Sequence, residues 1–174
     1  VGGNVRALVR GGWGFVSFNN LDELPSRVEM AIQQARFVGK EESKLAPIEP
    51  IVEEVAARIV RNPVTVPLAE KKQLLDEHND IILRTPGIQT SSIRYTDSQK
   101  RTLFLNSSGS CIRQERTDTA LNLAAIAAQN GDVQQILVSL GGRDDFEPVR
   151  GLHYKAQEIA QRAVELLSAP KIEG

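Results

Sequence analysis

The stretch Cys111–Gln129, CIRQERTDTALNLAAIAAQ, decides the fold because it can be interpreted in two ways. Its alanine content favours a helix, since alanine has the highest intrinsic helix propensity. Its alternation favours a strand, because six of its residues recur at every second position and would share one face of an extended chain. These residues are Thr117, Thr119, Leu121, Leu123, Ala125 and Ala127. We favour one long strand, and a helix over 117–129 stays open as the alternative.

The strand interpretation makes residues 88–142 a four-stranded antiparallel meander. The surrounding segments are rich in β-branched and aromatic residues, which are typical of strands, and turn-forming residues separate them. The predicted strands cover 88–96, 100–106, 111–129 and 133–140. The predicted turns are Asp97–Gln99, Asn106–Ser110 and Asn130–Asp132.

The segment Val5–Phe18, VRALVRGGWGFVSF, predicts a β-hairpin near the start of the chain. Two alternating runs flank Gly11, Gly12 and Gly14, and glycine tolerates the positive φ angles of a tight reversal. Phosphate-binding glycine loops lead from a strand into a helix, whereas this one leads into a second strand. The glycines are therefore expected to form a hairpin corner, with Trp13 as a corner plug or an interface residue.

The fold class that follows is α+β: an antiparallel β-meander with an N-terminal β-hairpin and covering helices. Residues 1–40 are predicted to be the hairpin plus one helix, the remainder of a truncated N-terminal α/β subdomain. Residues 41–66 are predicted to be a linker that contains a short helix over Ile51–Arg61. Residues 67–174 would hold the helix Leu68–Leu83, the meander and a C-terminal helix over Leu152–Leu167.

Composition excludes several classes of protein. The 21 Lys and Arg residues against 22 Asp and Glu residues give a net charge of -1, so no global field attracts nucleic acid. The one cysteine cannot form an internal disulfide, and no apolar run approaches the roughly 18 residues of a membrane span. We therefore expect a cytoplasmic protein with no direct nucleic-acid or membrane partner.

The metal ligands in this chain are too few and too scattered to predict a site. His78, His153 and Cys111 lie far apart in sequence, and the helical pair of histidines typical of zinc peptidases is absent. His78 falls on the apolar seam of the predicted helix Leu68–Leu83 and is expected to be a packed or half-exposed structural side chain. Cys111 is expected to be a small buried side chain. The sequence thus assigns no catalytic, cofactor-binding or metal-binding residue.

Three carboxylates lie close together in sequence at Asp144, Asp145 and Glu147. Carboxylates in such a cluster can hold a hard cation or act as an acid/base pair. Their spacing differs from that of a Ca²⁺-binding loop. We expect a solvated turn here. A hydrolase that uses these three carboxylates is kept as a further functional alternative.

Five segments, taken in order, resemble the N-terminal half of the TldD/PmbA family, whose members are also called modulators of DNA gyrase. The first is V-R-x-L-V-x-G-G-W-G-F-x-S at 5–17, followed by A-I-x-x-A-R at 31–36. The others are N-P-V-x-V-P-L-x-E-K-x-x-L-L at 62–75, L-N-S-S-G-S at 105–110 and AVELLSA at 163–169. Their joint order and spacing carry the resemblance.

The resemblance implies a parent protein with an N-terminal α/β half and a C-terminal β-rich half. In TldD-type members the second half carries a His-Glu-x-x-x-His zinc motif, which is degenerate in TldE/PmbA-type members. It implies a zinc-dependent peptidase that acts on peptides or unfolded segments, assembled as a homodimer or a TldD/TldE-type heterodimer. This chain would be its non-catalytic N-terminal fragment, with zinc in the missing C-terminal half if the parent is TldD-type; whether the parent is an enzyme stays open.

Two further hypotheses concern partners. The chain could instead be a stand-alone binding or assembly module that regulates a protein such as DNA gyrase. Within the peptidase interpretation, an extended peptide could pair with an exposed edge of the long segment Cys111–Gln129, a mode of recognition that depends little on side chains.

Overall fold

The computed structural model describes residues 1–43 and 45–170, and it divides the chain into two compact units, Val1–Glu49 and the part from Pro50 onward. The α+β class, the N-terminal hairpin and the helix-covered sheet are confirmed. The three-part division into domains stays a prediction, but some elements within it need correction. No helix in the described ranges is both long enough and apolar enough to cross a bilayer.

The first unit is a hairpin covered by one helix. Strands β1 (Gly3–Val9) and β2 (Gly12–Phe18) pair antiparallel, and helix α1 spans Leu24–Val38. The two-residue turn has φ angles of 49° at Arg10 and 74° at Gly11, the positive values that tight hairpin turns require. A Cβ on Gly14 would lie 1.9 Å from the carbonyl oxygen of Ala31, so α1 packs on β2 at a distance that only glycine allows.

The second unit is built on a four-stranded sheet whose centre is the long strand. Its strands are β3 (Val52–Val55), β4 (Ile88–Leu105), β5 (Cys111–Gln129) and β6 (Asp132–Arg143). β4 pairs antiparallel with β5 along almost all of its length. The other side of β5 is shared, because β3 pairs parallel with Cys111–Gln114 and β6 pairs antiparallel from Asp118 to Gln129.

The long-strand prediction for residues 111–129 is confirmed, and the helix alternative is wrong. From Thr117 to Ala127 every odd-numbered residue of β5 is buried, the pattern of a strand with one covered face. Two helices provide the cover: α2 (Leu68–Leu83) and α3 (His153–Leu167). Leu74 and Ile82 of α2 and the small side chains of α3 pack on this face to form the core.

Two predicted elements are wrong. The turn at Asp97–Gln99 does not exist, because β4 runs through it and Asp97 and Gln99 pair with Thr119 and Thr117 of β5. The short helix over Ile51–Arg61 is replaced by the parallel strand β3. The sheet is therefore a three-stranded antiparallel meander with one added parallel strand, and not a four-stranded meander.

Candidate functional site

Among the described residues of the second unit, no helix covers one face of the sheet, and we call it the open face. Its side chains come from the even-numbered residues 90–104 of β4 and 112–128 of β5, and from the odd-numbered residues 133–143 of β6. Glu53 and Val55 of β3 lie on the same face, because they pair with Ile112 and Gln114. Its exposure is clear at β6, where Leu137 keeps 63% of its surface accessible. The open face is thus a regular surface of this unit that a ligand could approach.

The centre of the open face is polar and shallow. Arg94, Asn122 and Ser139 form one row across the three strands, and the Ser139 hydroxyl donates a hydrogen bond to Asn122 Oδ1. The next row across the three strands has only small side chains, which are Thr96, Ala120 and Gly141. A flat, extended ligand could therefore lie close to the sheet.

The unpaired strand edges of this sheet do not lie on β5, where the edge-pairing hypothesis expects one. β5 is paired on both sides, so a peptide cannot add to it as a new neighbour along its length. Within the described residues of the second unit, β3, β4 and β6 each have an outer edge that carries no further strand. The edges at which a peptide could be added to this sheet are therefore those of β3, β4 and β6.

A gap remains on one side of β5, between the end of β3 and the end of β6. The backbone N–H of Asp144 donates to the carbonyl of Thr117 at 2.7 Å and closes part of this gap. Beside it lies a cavity of about 340 Å³ whose lining includes Lys100, Arg116 and Arg143. The gap thus opens toward the most cationic part of the open face.

The two histidines, which the sequence separates, are brought together between α2 and α3. Their rings stack at a centroid distance of 4.9 Å with an interplanar angle of 12°. His78 is buried, which is one of the two predicted outcomes. Its Nδ1 lies 2.7 Å from the carbonyl oxygen of Leu74, so Nδ1 carries the proton and donates it. His153 Nε2 lies 3.0 Å from Glu77 Oε2.

Burial lowers the pKa of His78, since the buried imidazole is easier to keep neutral than to charge. The hydrogen bond from His153 lowers the pKa of Glu77 by favouring its ionised form. Among the described residues, no group of three or more His, Cys, Asp or Glu side chains could hold a metal ion. The observed contacts of the two histidines join α2 to α3.

The acidic cluster holds the backbone together. Asp145 Oδ1 accepts hydrogen bonds from the backbone N–H groups of Arg61 at 3.0 Å, Phe146 at 2.7 Å and Glu147 at 3.3 Å. Burial tends to raise the pKa of Asp145, but these hydrogen bonds outweigh that effect and lower it. Glu147 is engaged by Arg150 at 2.9 Å. The expectation of a merely solvated turn is therefore wrong for Asp145, which joins two segments of the chain.

Two other predicted side chains lie in places that differ from expectation. Cys111 is half-exposed, because it starts β5 beyond the part of the sheet that the helices cover. Trp13 is 54% exposed on the outer face of β2 beside the equally exposed Phe15, over whose ring the Arg6 guanidinium lies at 5.5 Å. Trp13 is thus no buried corner plug, and a role as an interface residue stays a prediction.

Two family profiles match the chain. The profile described as PmbA/TldA metallopeptidase domain 1 matches residues 1–38, and that described as PmbA/TldA metallopeptidase central domain matches residues 61–167, which is more than half of the chain. The chain belongs to the TldD/PmbA metallopeptidase family. The resemblance of the five sequence segments is thereby confirmed.

Relatives of this TldD/PmbA chain include proteins named metalloprotease. One from Synechocystis sp. is 37% identical over 176 residues, which cover 100% of this chain and 38% of that protein. One from Methanothermobacter thermautotrophicus is 31% identical over 174 residues, which cover 97% of this chain and 37% of that protein. The chain therefore spans less than two fifths of the length of these relatives.

Solved structures share the fold. A protein of Thermotoga maritima described as a candidate modulator of DNA gyrase superposes with a TM-score of 0.70 at 18% identity, covering 98% of this chain and 38% of that one. A protein of Bacteroides thetaiotaomicron with the same description gives 0.71 at 16% identity, covering 98% and 40%. TldE from Thermococcus kodakarensis gives 0.55 at 18% identity, covering 90% and 34%. At these identities the likeness shows the fold alone.

The sequence did not predict contacts between residues that are far apart along the chain. Glu77 and His153 lie 76 residues apart, and no local pattern indicates that α2 and α3 would place them together. For the row Arg94, Asn122 and Ser139, the sequence indicates only that Asn122 lies on the uncovered face, because it alternates with the buried residues of β5. Which residues of β4 and β6 lie beside Asn122 depends on the register of three paired strands.

Proposed function

We propose that this chain is the non-catalytic N-terminal part of a TldD/PmbA-type zinc metallopeptidase and that its open face contributes the surface on which a peptide or an unfolded segment lies. The observation that carries the proposal is the match to two metallopeptidase domains by a chain that spans 38% of a relative named metalloprotease. The hydrolytic chemistry would then come from residues outside this chain, with zinc held there in a TldD-type parent.

The architecture supports a role of this chain in holding the substrate, with the hydrolytic residues outside it. One face of the sheet is used for the core, and the other is exposed, with a polar and shallow centre. An unfolded substrate has no fixed shape, so it is better held by backbone-rich, flat surfaces and strand edges than by a closed pocket. Within the described residues of the second unit, such edges are the outer edges of β3, β4 and β6.

The test uses the complete protein in parallel with the 174-residue chain. We expect the complete protein to cleave a permanently unfolded substrate, such as reduced and carboxymethylated α-lactalbumin, and to lose this activity when a chelator removes the metal. The isolated chain is expected to bind the same substrate without cleaving it. Cleavage by the isolated chain would contradict the non-catalytic role, and a complete protein that is inactive with bound zinc would contradict the peptidase.

We further propose that the complete protein assembles as a homodimer or as a TldD/TldE-type heterodimer. Sedimentation analysis of the protein purified alone and with a co-expressed relative distinguishes these two assemblies. A monomer under both conditions would contradict both.

A role as a stand-alone module that regulates DNA gyrase stays a prediction. Its support is the description of two proteins that share the fold at 18% and 16% identity, which is too distant to transfer a partner. Supercoiling by purified gyrase, measured with and without the complete protein, tests it. An unchanged rate at saturating concentration would contradict this role and leave the peptidase proposal intact.

A further inference from the structure

From the charges of the open face we infer that it takes acidic, extended peptide segments, so that the substrates of the proposed peptidase carry carboxylates at alternate positions. This inference rests on the proposed function and names its substrate class. It concerns only the second unit, whose open face carries four cations and two carboxylates.

The open face is cationic although the chain as a whole is not. Its strands contribute four cations on this side, against two carboxylates: the cations are Arg94, Lys100, Arg116 and Arg143, and the carboxylates are Glu53 and Asp118. The whole chain has a net charge of -1, so the cations are concentrated here. Such a concentration of one sign creates a local potential that attracts ligands of the opposite sign.

Three of these cations are available to a ligand. Asp118 engages Arg116 at 2.7 Å, whereas Arg94, Lys100 and Arg143 form no ion pair within the described residues. All three are exposed. Two carboxylates near the gap, Glu115 and Asp144, also line the cavity beside Lys100 and Arg143, but Arg101 engages Glu115 from the opposite face at 2.9 Å.

The spacing of the cations fits an extended chain. Arg94 and Lys100 are six residues apart on one strand, so they lie about 20 Å apart at about 3.4 Å per residue. A peptide that lies along the strands has side chains facing the sheet every two residues, and carboxylates four or six residues apart would reach both cations. The row of small side chains between them, Thr96, Ala120 and Gly141, leaves room for the peptide backbone.

The same charges could in principle attract nucleic acid, but the face lacks what that ligand needs. Single-stranded nucleic acid is held by aromatic platforms as well as by cations. The only aromatic side chain of the open face within the described residues is Phe104, close to the outer end of β4. A carboxylate-bearing peptide is the occupant that the charges and the flat surface favour.

The test measures fluorescence anisotropy with the complete protein and three labelled peptides of twelve residues. The peptides alternate Ser or Thr with Glu, with Gln or with Lys, and mass spectrometry confirms that they stay intact. We expect the Glu peptide to bind about tenfold more tightly than the Gln peptide, since exposed ion pairs contribute modestly and add up. The Lys peptide should bind more weakly than both, and 0.5 M salt should remove the preference.

Variants locate the site. Arg94→Gln, Lys100→Gln and Arg143→Gln should each weaken binding of the Glu peptide about two- to threefold and leave the Gln peptide unaffected. Arg113→Gln is the matched control, because Arg113 is an exposed arginine on the opposite face of β5. It should change neither affinity.

The outcomes separate the two proposals. Equal binding of the Glu and Gln peptides, or a preference that the three variants leave unchanged, overturns the charge inference while the peptidase proposal stands. Tighter binding of a twelve-nucleotide oligo(dT) than of the Glu peptide also overturns it and assigns the face to nucleic acid. Absence of binding by every peptide, together with absence of cleavage in the assay above, defeats the proposed function itself.

Discussion

At the scale of single residues, buried polar groups of this chain are used to join segments. His78 donates a hydrogen bond from Nδ1 to the carbonyl oxygen of Leu74. Its ring stacks on that of His153, so α2 and α3 are in contact through two imidazole rings. Its Nε2 is buried without a hydrogen-bond partner among the described residues, and a proton added there would bring an uncompensated charge into the contact.

Acid is therefore expected to loosen the α2–α3 contact. The pKa of His78 is lowered from 6.5, so the unfolded chain takes up a proton at a higher pH than the folded one. Stability is then fully present above pH 6.5 and declines as the pH falls toward the lowered value, by at most about 1.4 kcal/mol per pH unit. Urea unfolding at pH 8, 7, 6 and 5 measures this decline.

The variant His78→Gln separates this effect from other acid effects. It should be less stable at pH 8 and should lose the decline between pH 7 and pH 5. The lowered pKa of Glu77 acts in a different range, because its contribution is lost only as the pH falls below 4.5. An unchanged decline in the variant would show that another group is responsible.

Asp145 is expected to matter for stability and not for chemistry. Its carboxylate accepts three backbone N–H groups, and one of them belongs to Arg61 in a distant part of the chain. Asp145→Ala should lower the midpoint of thermal unfolding, whereas Glu147→Ala, which removes only a contact with the exposed Arg150, should change it little. Peptidase activity of the complete Asp145→Ala protein, measured below its unfolding range, should be unchanged. A loss there would revive the acid/base hydrolase.

At the scale of elements, close packing decides where helices can lie. Gly14→Ala should destabilise the first unit by about 1–3 kcal/mol, since its Cβ would meet the backbone of Ala31 and α1 would have to move. The matched control is Gly2→Ala, whose Cβ would lie 3.5 Å from the nearest atom, the carbonyl oxygen of Phe18. The single tryptophan, Trp13, reports the unfolding of this hairpin by fluorescence. Equal stability of the two variants would contradict the close contact.

The elements also show which sequence signals can be trusted. The alternation from Thr117 to Ala127 correctly predicted a strand, because one covered face imposes a period of two. The polar run Asp97–Gln99 misled, since the same residues form turns in isolation but pair here with an uninterrupted partner. Ile51–Arg61 misled for a similar reason: its β-branched residues suit a strand, and a neighbour more than fifty residues away supplies the pairing.

At the scale of the whole molecule, metal is expected to matter only beyond this chain. The described residues contain no group of three ligands, so the midpoint of thermal unfolding of the 174-residue chain should be the same with a chelator and with added zinc. The complete protein should lose cleavage with the chelator and regain it with zinc. Stoichiometric zinc bound by the 174-residue chain, with a raised midpoint, would contradict this expectation.

The candidate site was only partly predictable from the sequence. Its polar face could be anticipated because even-numbered residues of β5 such as Asn122 alternate with buried ones. Its cationic character could not, since Arg94, Lys100 and Arg143 come from two strands that meet only through β5. The hypothesis of an exposed edge on Cys111–Gln129 does not fit the pairing of β5 on both sides, because the sequence does not say which strand is central.

The sequence by itself determined the family, the hairpin at Gly11 and the extended state of Cys111–Gln129. The family follows from the order and spacing of five segments. The hairpin and the extended state depend on local backbone preferences and on a period of two, which each segment carries within itself. Only the tertiary structure decided that β3 is a strand, that β4 is continuous and that His78 stacks on His153. Those outcomes depend on partners far along the chain, and their free energy exists only once the pairing and the packing have formed.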